Sequence, residues 1–219
     1  MVNRELDNLG YDSMIKSIAD FVPDGVEAGV GLVLQDEAGR YLFFLAGTRH
    51  HCPPGELFYA GIGGHREPGE DWLACAQREA REEIGTEIEI LSAAMTWLVP
   101  QQGSIQVIET EDRPWPLAFY EMIHLPDAPR AGEVYRLVIY LAKLKGKIGN
   151  LPPDEVQGVI ALTREQVLRG LEHQSTLAEL VREGALLVAS DKMIDLETRL
   201  YPIGTARALA QILASASAG

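Results

Sequence analysis

A chain of 219 residues with 47% hydrophobic content can bury a full core, and one domain with additions suits that length better than two equal domains. The formal net charge of -13 argues against charge-driven binding to nucleic acid or to an anionic membrane, so any polyanionic ligand has to be recruited locally. Two cysteines, Cys52 and Cys75, exclude a disulfide framework, and with no signal-like start and no apolar run of about 18 residues the expectation is a soluble, cytoplasmic protein.

Asn3 to Phe21 has helical spacing at Leu6, Leu9, Met14, Ile15 and Ile18 and stops at Pro23-Asp24-Gly25, which marks residues 1–25 as an N-terminal helical segment. Val26 to Leu34 and Tyr41 to Ala46 are β-rich runs flanking Asp36-Glu37-Ala38-Gly39, and they read as a hairpin. A glycine-punctuated loop and a Glu/Arg-rich helix follow between Gly61 and Gly85. Further strands are expected near Ile88 to Trp97, Ile105 to Ile108, Leu117 to Leu125, Tyr135 to Leu144 and Val156 to Leu162. Thr163 and Gln166 form a capping box that opens a helix. Thr176 and Glu179 form another, which Gly184 ends, and Thr205 caps a last helix through about Leu213. Residues 26–168 thus form the domain and 169–219 a mainly helical extension packed on it, with a strand at Ala185 to Ala189 left open.

The segment Gly64 to Thr86, GHREPGEDWLACAQREAREEIGT, concentrates acid, base and glycine at fixed offsets. Asp71 is a good N-cap for a helix through Ile84, and Gly85 is suited to the left-handed conformation that stops it. On that helix Glu79, Glu82 and Glu83 stand at i, i+3 and i+4, so their carboxylates project close together and repel. A hard divalent cation removes the repulsion, and oxygen-only ligands suit Mg²⁺, with Mn²⁺ as a substitute. Ala76, Ala80 and Ile84 form a stripe read as lying opposite the carboxylates and packing on a sheet, with Cys75 filling space. A Glu/Arg-rich helix is ordinarily a solvated face. Gly61, Gly63, Gly64 and Pro68-Gly69 are punctuation that a plain surface helix does not require, and they let backbone approach a ligand.

Gly64, Glu70, Arg78, Glu79, Glu82, Glu83 and Gly85 resemble the Nudix box of the Nudix hydrolase (MutT-like) family, with Ala80 and Thr86 standing where the family prefers aliphatic residues. The resemblance implies an α/β/α sandwich with a mixed sheet, preceded here by the N-terminal helix and followed by the C-terminal helical extension. It implies metal held by Glu79, Glu82, Glu83 and the Gly64 carbonyl, with Arg78 orienting a catalytic glutamate. The implied reaction is attack of water on a nucleoside diphosphate linked to another moiety, and either Glu79 or the loop acid Glu155 takes the proton. The extension either covers one end of the substrate cleft or supports a homodimer.

Arg113-Pro114-Trp115-Pro116-Leu117 resembles a motif of the family's NADH pyrophosphatases, making Arg113 and Trp115 substrate-binding candidates, although two cysteines cannot build that subfamily's four-cysteine zinc module. Pro100 falls near a proline of ADP-ribose pyrophosphatases, so the resemblance leans to ADP-ribose or a dinucleotide-like small molecule. Trp97, Trp115, Phe119 and Tyr120 suit base stacking, but alternating strand positions bury aromatics anyway. His50, His51 and Cys52 are too closely adjacent for one tetrahedral metal and lack a fourth ligand. A non-catalytic nucleotide-sensing regulator on the same scaffold is the alternative, and an isomerase using Cys52 a third option.

Overall fold

Alternation along one central strand decides how the layers form. Val30, Leu32 and Leu34 enter one core while Val33 enters a second, as period-two side chains must. The computed structural model of the protein describes residues 15–123, 131–190 and 192–218. Its strands begin with β1 (Ala28–Gln35), β2 (Tyr41–Ala46), β3 (Glu56–Ala60), β4 (Ile88–Leu91), β5 (Thr96–Val99) and β6 (Gln106–Ile108). They continue with β7 (Ala118–Ile123), β8 (Val134–Leu144), β9 (Val156–Leu162), β10 (Ser175–Thr176), β11 (Leu186–Ser190) and β12 (Arg199–Pro202). The helices are α1 (Ile18–Phe21), α2 (Trp72–Ile84), α3 (Arg164–Arg169), α4 (Leu177–Arg182) and α5 (Gly204–Ala218).

The sheet is mixed and runs β10-β12-β3-β2-β1-β8-β7-β5-β6, with β9 on β2, β11 on β9 and β4 on β8. β1 lies parallel to β8 from Ala28 opposite Arg136 to Leu34 opposite Ala142, and antiparallel to β2 at the hairpin. One core packs Cys75, Ala76, Ala80 and Ile84 of α2 on Val30, Leu32, Phe44, Val138 and Tyr140. The other packs Ala206, Leu209, Ala210 and Ile212 of α5, with Val167, Leu177 and Leu180, on Val33, Phe43, Leu45 and Ile139. This is the α/β/α sandwich with its C-terminal helix.

Several elements differ from the expectation. Residues 3–14 of the expected N-terminal helix lie outside the described residues; within them, α1 is capped by Ser17, and Phe21 stacks on Phe119 at 4.9 Å. The run from Ile88 to Trp97 breaks into β4 and β5, because Ser92 Oγ accepts from Trp115 N–H at 3.0 Å and Ala93 N–H donates to Trp115 O at 3.0 Å. Residues 124 and 125 of the expected strand from Leu117 are likewise outside the described residues. The segment after Arg169 supplies α4 and α5 and also three strands: Leu186–Ser190 takes the strand option along β9, and β12 extends the sheet in parallel with β3. Both capping boxes form at Thr163 and Thr176, and the hairpin turn closes with Gly39 at φ 79.

α5 seats closely on β1 because Gly31 has no side chain. A Cβ there would stand 1.9 Å from Thr205 Oγ1 and 3.1 Å from Thr205 Cβ. Gly31→Ala is therefore expected to cost about 2 kcal/mol through overpacking, and Thr205→Ala in the same chain to recover at least half of it. Urea unfolding of the two single variants and the double variant measures the coupling; additive losses would place the strain elsewhere.

Candidate functional site

The box helix α2 forms for local reasons. Asp71 accepts from Leu73 N–H at 2.9 Å and Ala74 N–H at 3.1 Å, and Gly85 closes the helix at φ 63 in the left-handed region. The loop before it is laid along β1: Leu32 N–H donates to Ile62 O at 2.8 Å, Val30 N–H to Gly64 O at 3.0 Å, and Arg66 N–H to Ala28 O at 3.0 Å. Gly63, at φ 143, and Gly64 make this approach sterically allowed. A Cβ on Gly64 would stand 2.6–2.7 Å from the Glu79 carboxylate.

Arg78 gathers the acids. Its Nε donates to Glu70 Oε1 and its Nη2 to Glu70 Oε2, both at 2.9 Å. Nη2 also reaches His65 O at 3.0 Å, while Nη1 bridges Glu79 Oε1 at 2.7 Å and Glu82 Oε2 at 3.0 Å. Glu83 takes a different partner, accepting from Gly63 N–H at 2.9 Å. The expectation that the carboxylates stand opposite the alanine stripe is corrected for two of them. At about 100° per residue Glu83 falls beside Ala76 and Ala80, and Glu79 and Glu83 are buried at 8% and 6% exposure whereas the Glu82 side chain is 54% exposed.

Burial sets the electrostatics. Desolvation pushes the Glu79 carboxyl above its ordinary range against the pull of Arg78, with Glu82 and Glu155 adding to the rise. Glu83 is pushed well above the ordinary range for the same first reason, opposed by the Gly63 N–H and raised further by Glu79 and Glu155. Glu70 goes the other way, to about 2, because Arg78 bonds its ionised form. Burial lifts the Cys75 thiol to about 12, which suits the space-filling role.

Glu155 faces this cluster from a second loop. Gly47 N–H donates to Glu155 O at 2.8 Å and Arg49 N–H to Asp154 O at 2.9 Å, and the Arg49 guanidinium is ion-paired with the Glu155 carboxylate. Sequence reading missed Arg49, whose partner lies 106 residues away. It also missed Tyr135 and Glu27, which flank the loop residue His65: the His65 and Tyr135 rings stack at 6.0 Å, and Glu27 Oε1 is 3.2 Å from His65 Nδ1. Arg113 and Trp115 find their partners elsewhere. Arg113 lies over the Trp115 ring at 4.6 Å and donates to the Thr110 and Asp112 carbonyls, while Trp115 is bonded to Ser92 and Ala93. His50 packs against Phe58 at 5.0 Å and Phe44 at 6.3 Å, in a half-buried setting whose desolvation lowers its basicity.

The donor set fits a hard cation in chemistry: carboxylate oxygens whose pKa values are raised first by burial and then by acidic neighbours, beside the Gly64 carbonyl, which accepts from Val30 N–H. A finished cage is not preformed. Among the described residues no three His, Cys, Asp or Glu side chains converge as a ready metal cluster; Arg78 holds Glu79 and Glu82, and the Gly63 N–H holds Glu83.

The NUDIX domain model matches residues 26–183, well over half of the chain. No curated protein matches the sequence. Similar solved structures include a MutT protein from Methanosarcina mazei Go1, 10% identical over 90% of this chain and 99% of that one at a TM-score of 0.47. A NUDIX hydrolase from Nitrosomonas europaea is 16% identical over 72% and 84% at 0.44, and a C. elegans Ap4A hydrolase is 23% identical over 66% and 85% at 0.42. The family assignment rests on the domain match.

The Glu70–Arg78 pair makes a pH-dependent contribution to stability. A carboxyl whose folded pKa is depressed stabilises the fold above its ordinary value of 4.5, and that contribution is lost as pH falls through about 2. Glu70→Gln is expected to cost about 1–2 kcal/mol at pH 7, with the gap from the parent protein narrowing below pH 4.5 and closing near pH 2. Urea midpoints across this range measure it, and a gap independent of pH would show that the carboxylate's charge is not what matters.

Proposed function

We propose, on the premise that this chain belongs to the NUDIX family, that it cleaves a nucleoside diphosphate linked to another moiety with the aid of a divalent cation. Membership makes it a hydrolase of phosphoric anhydride bonds. The observation that carries the finer reading is the burial of Glu79 and Glu83 under a glycine loop, which lifts both carboxyls above their ordinary range, with the charge of Glu155 adding to the rise. Residues with such shifts in a shared site suit a charge-handling role. Glu79, Glu82, Glu83 and the Gly64 carbonyl would hold the cation, Mg²⁺ first and Mn²⁺ as its substitute. When bound, it supplies charge neutralisation for the diphosphate and activation of a water.

The chain's own residues supply position. Arg78 fixes Glu79 against the loop through Glu70 and His65 O, so the Glu79 carboxylate has little rotational freedom. Gly63 N–H aims Glu83 at the same loop. Glu155, on a tied loop with its ion pair partly exposed, would take the proton of the attacking water, with Glu79 the other candidate base. ADP-ribose and dinucleotide-like compounds head the substrates to test, and Arg113 and Trp115 serve, on this reading, the shape of the 110–117 loop more directly than contact with the phosphates. No helix among the described residues is long and apolar enough to cross a membrane, and both cysteines are free, which supports placing the protein in a reducing cytoplasm. A homodimer would form most readily at edge strand β11, where Leu186, Leu187 and Val188 are exposed.

A panel of ADP-ribose, NADH, dinucleoside polyphosphates, nucleotide sugars and nucleoside triphosphates tests the activity. Turnover is expected with Mg²⁺ or Mn²⁺, lost with EDTA and restored by the metal. Glu82→Gln, at an exposed position where the fold has little at stake, should lower kcat about 10²-fold. Turnover that survives chelation sinks the metal reading. No turnover across the panel shifts weight to a nucleotide-sensing regulator.

A further inference from the structure

The box leaves a charge problem that Arg78 does not solve. Arg78 is committed to Glu70, Glu79 and Glu82, and the chain carries a net charge of -13, so a diphosphate approaching Glu82 and Glu155 meets repulsion. A second guanidinium faces the cluster. Arg49 pairs with Glu155, and its charge acts on Glu83.

Arg49 does not sit on a free loop. Gly47 N–H donates to Glu155 O at 2.8 Å, Thr48 N–H to Pro153 O at 3.3 Å and Arg49 N–H to Asp154 O at 2.9 Å, so residues 47–49 are zipped to 153–155. Glycine permits that approach, since a Cβ on Gly47 would stand 2.5 Å from Asp154 O. The Arg49 side chain is still 54% exposed. One carboxylate contact leaves most guanidinium donors open to another acceptor, and a partly exposed ion pair is readily exchanged.

We propose that Arg49 is a phosphate-binding residue that exchanges partners, turning from the Glu155 carboxylate to the diphosphate oxygens of the substrate and releasing Glu155 beside the box as it does so. The inference rests on the anhydride-hydrolase reading above. A planar guanidinium matches two phosphate oxygens at once, which an ammonium cannot. Pairing with Arg49 in the absence of substrate keeps both charges partly neutralised, and the substrate itself triggers the exchange. Arg49 and Glu155 thus act together, one as phosphate ligand and one as the acid set free.

Binding of methylenediphosphonate, whose bridging carbon blocks hydrolysis, separates this role from turnover. Titration calorimetry of the full chain with Mn²⁺ present is expected to show Arg49→Ala weakening diphosphonate binding about 10-fold to 100-fold, with Arg49→Lys recovering part of the loss. Binding of Mn²⁺ alone should hold or tighten in Arg49→Ala, because Glu155 is free. Equal diphosphonate binding by Arg49→Ala and the parent overturns the proposal and leaves the hydrolase reading intact. A fall in Mn²⁺ affinity and melting temperature that matches the diphosphonate loss and is not rescued by Arg49→Lys marks a structural role and overturns it too. No Mn²⁺-dependent diphosphonate binding by the parent protein overturns the hydrolase reading and this inference with it.

Discussion

The Arg78 guanidinium is the constraint on which the rest of the site depends. It spans from the loop, through Glu70 and His65 O, to the helix, through Glu79 and Glu82. A planar fork alone meets this geometry, with Nε and Nη2 bidentate to Glu70 and Nη1 left to bridge two further carboxylates. The loop and α2 are thereby joined as one unit, and the glycines are the steric condition for the union, since any side chain at Gly64 would occupy the Glu79 carboxylate. Chain direction, helix capping and charge all converge on the same few residues.

That arrangement explains why the carboxylates are unlike one another. The Glu70 carboxyl is held below its ordinary range because it is bonded by Arg78, whereas Glu79 and Glu83 are pushed upward because burial removes water that no cationic side chain fully replaces. Glu82 stays in solvent. On the proposed reading, a cation would meet acids already held by other partners, Arg78 for Glu79 and Glu82 and the Gly63 N–H for Glu83. Arg49 and Glu155 show the same logic beside the box, in an ion pair held by zipped loops.

Much of this was legible in the sequence wherever the signal is local. Asp71 and Gly85 bound the box helix, Thr163 and Thr176 open theirs, and Asp36 to Gly39 turn the hairpin, because capping and turn chemistry act within a few residues. Strands β3, β10 and β12 were not legible. β12 is a four-residue strand whose register is set by pairing Arg199–Pro202 with Glu56–Tyr59, a contact across most of the chain that no local pattern announces. The same limit hid Arg49, and it misplaced Glu79 and Glu83: periodicity groups acids on a helix but does not say which edge of the group a folded loop will cover. The Glu155 position, by contrast, could be anticipated from its place just ahead of β9.

The central claim is that these box carboxylates are a cation site reached by loosening the hold of Arg78. A crystal structure of the protein soaked with Mn²⁺ and methylenediphosphonate, with anomalous data for the metal, tests it most directly. The account predicts anomalous density coordinated by oxygens of Glu82 and of Glu79 or Glu83, near the Gly64 carbonyl, with Arg78 withdrawn from at least one of the acids it now holds. Anomalous density at His50 to Cys52 or elsewhere, with the Arg78 network unchanged, would contradict it.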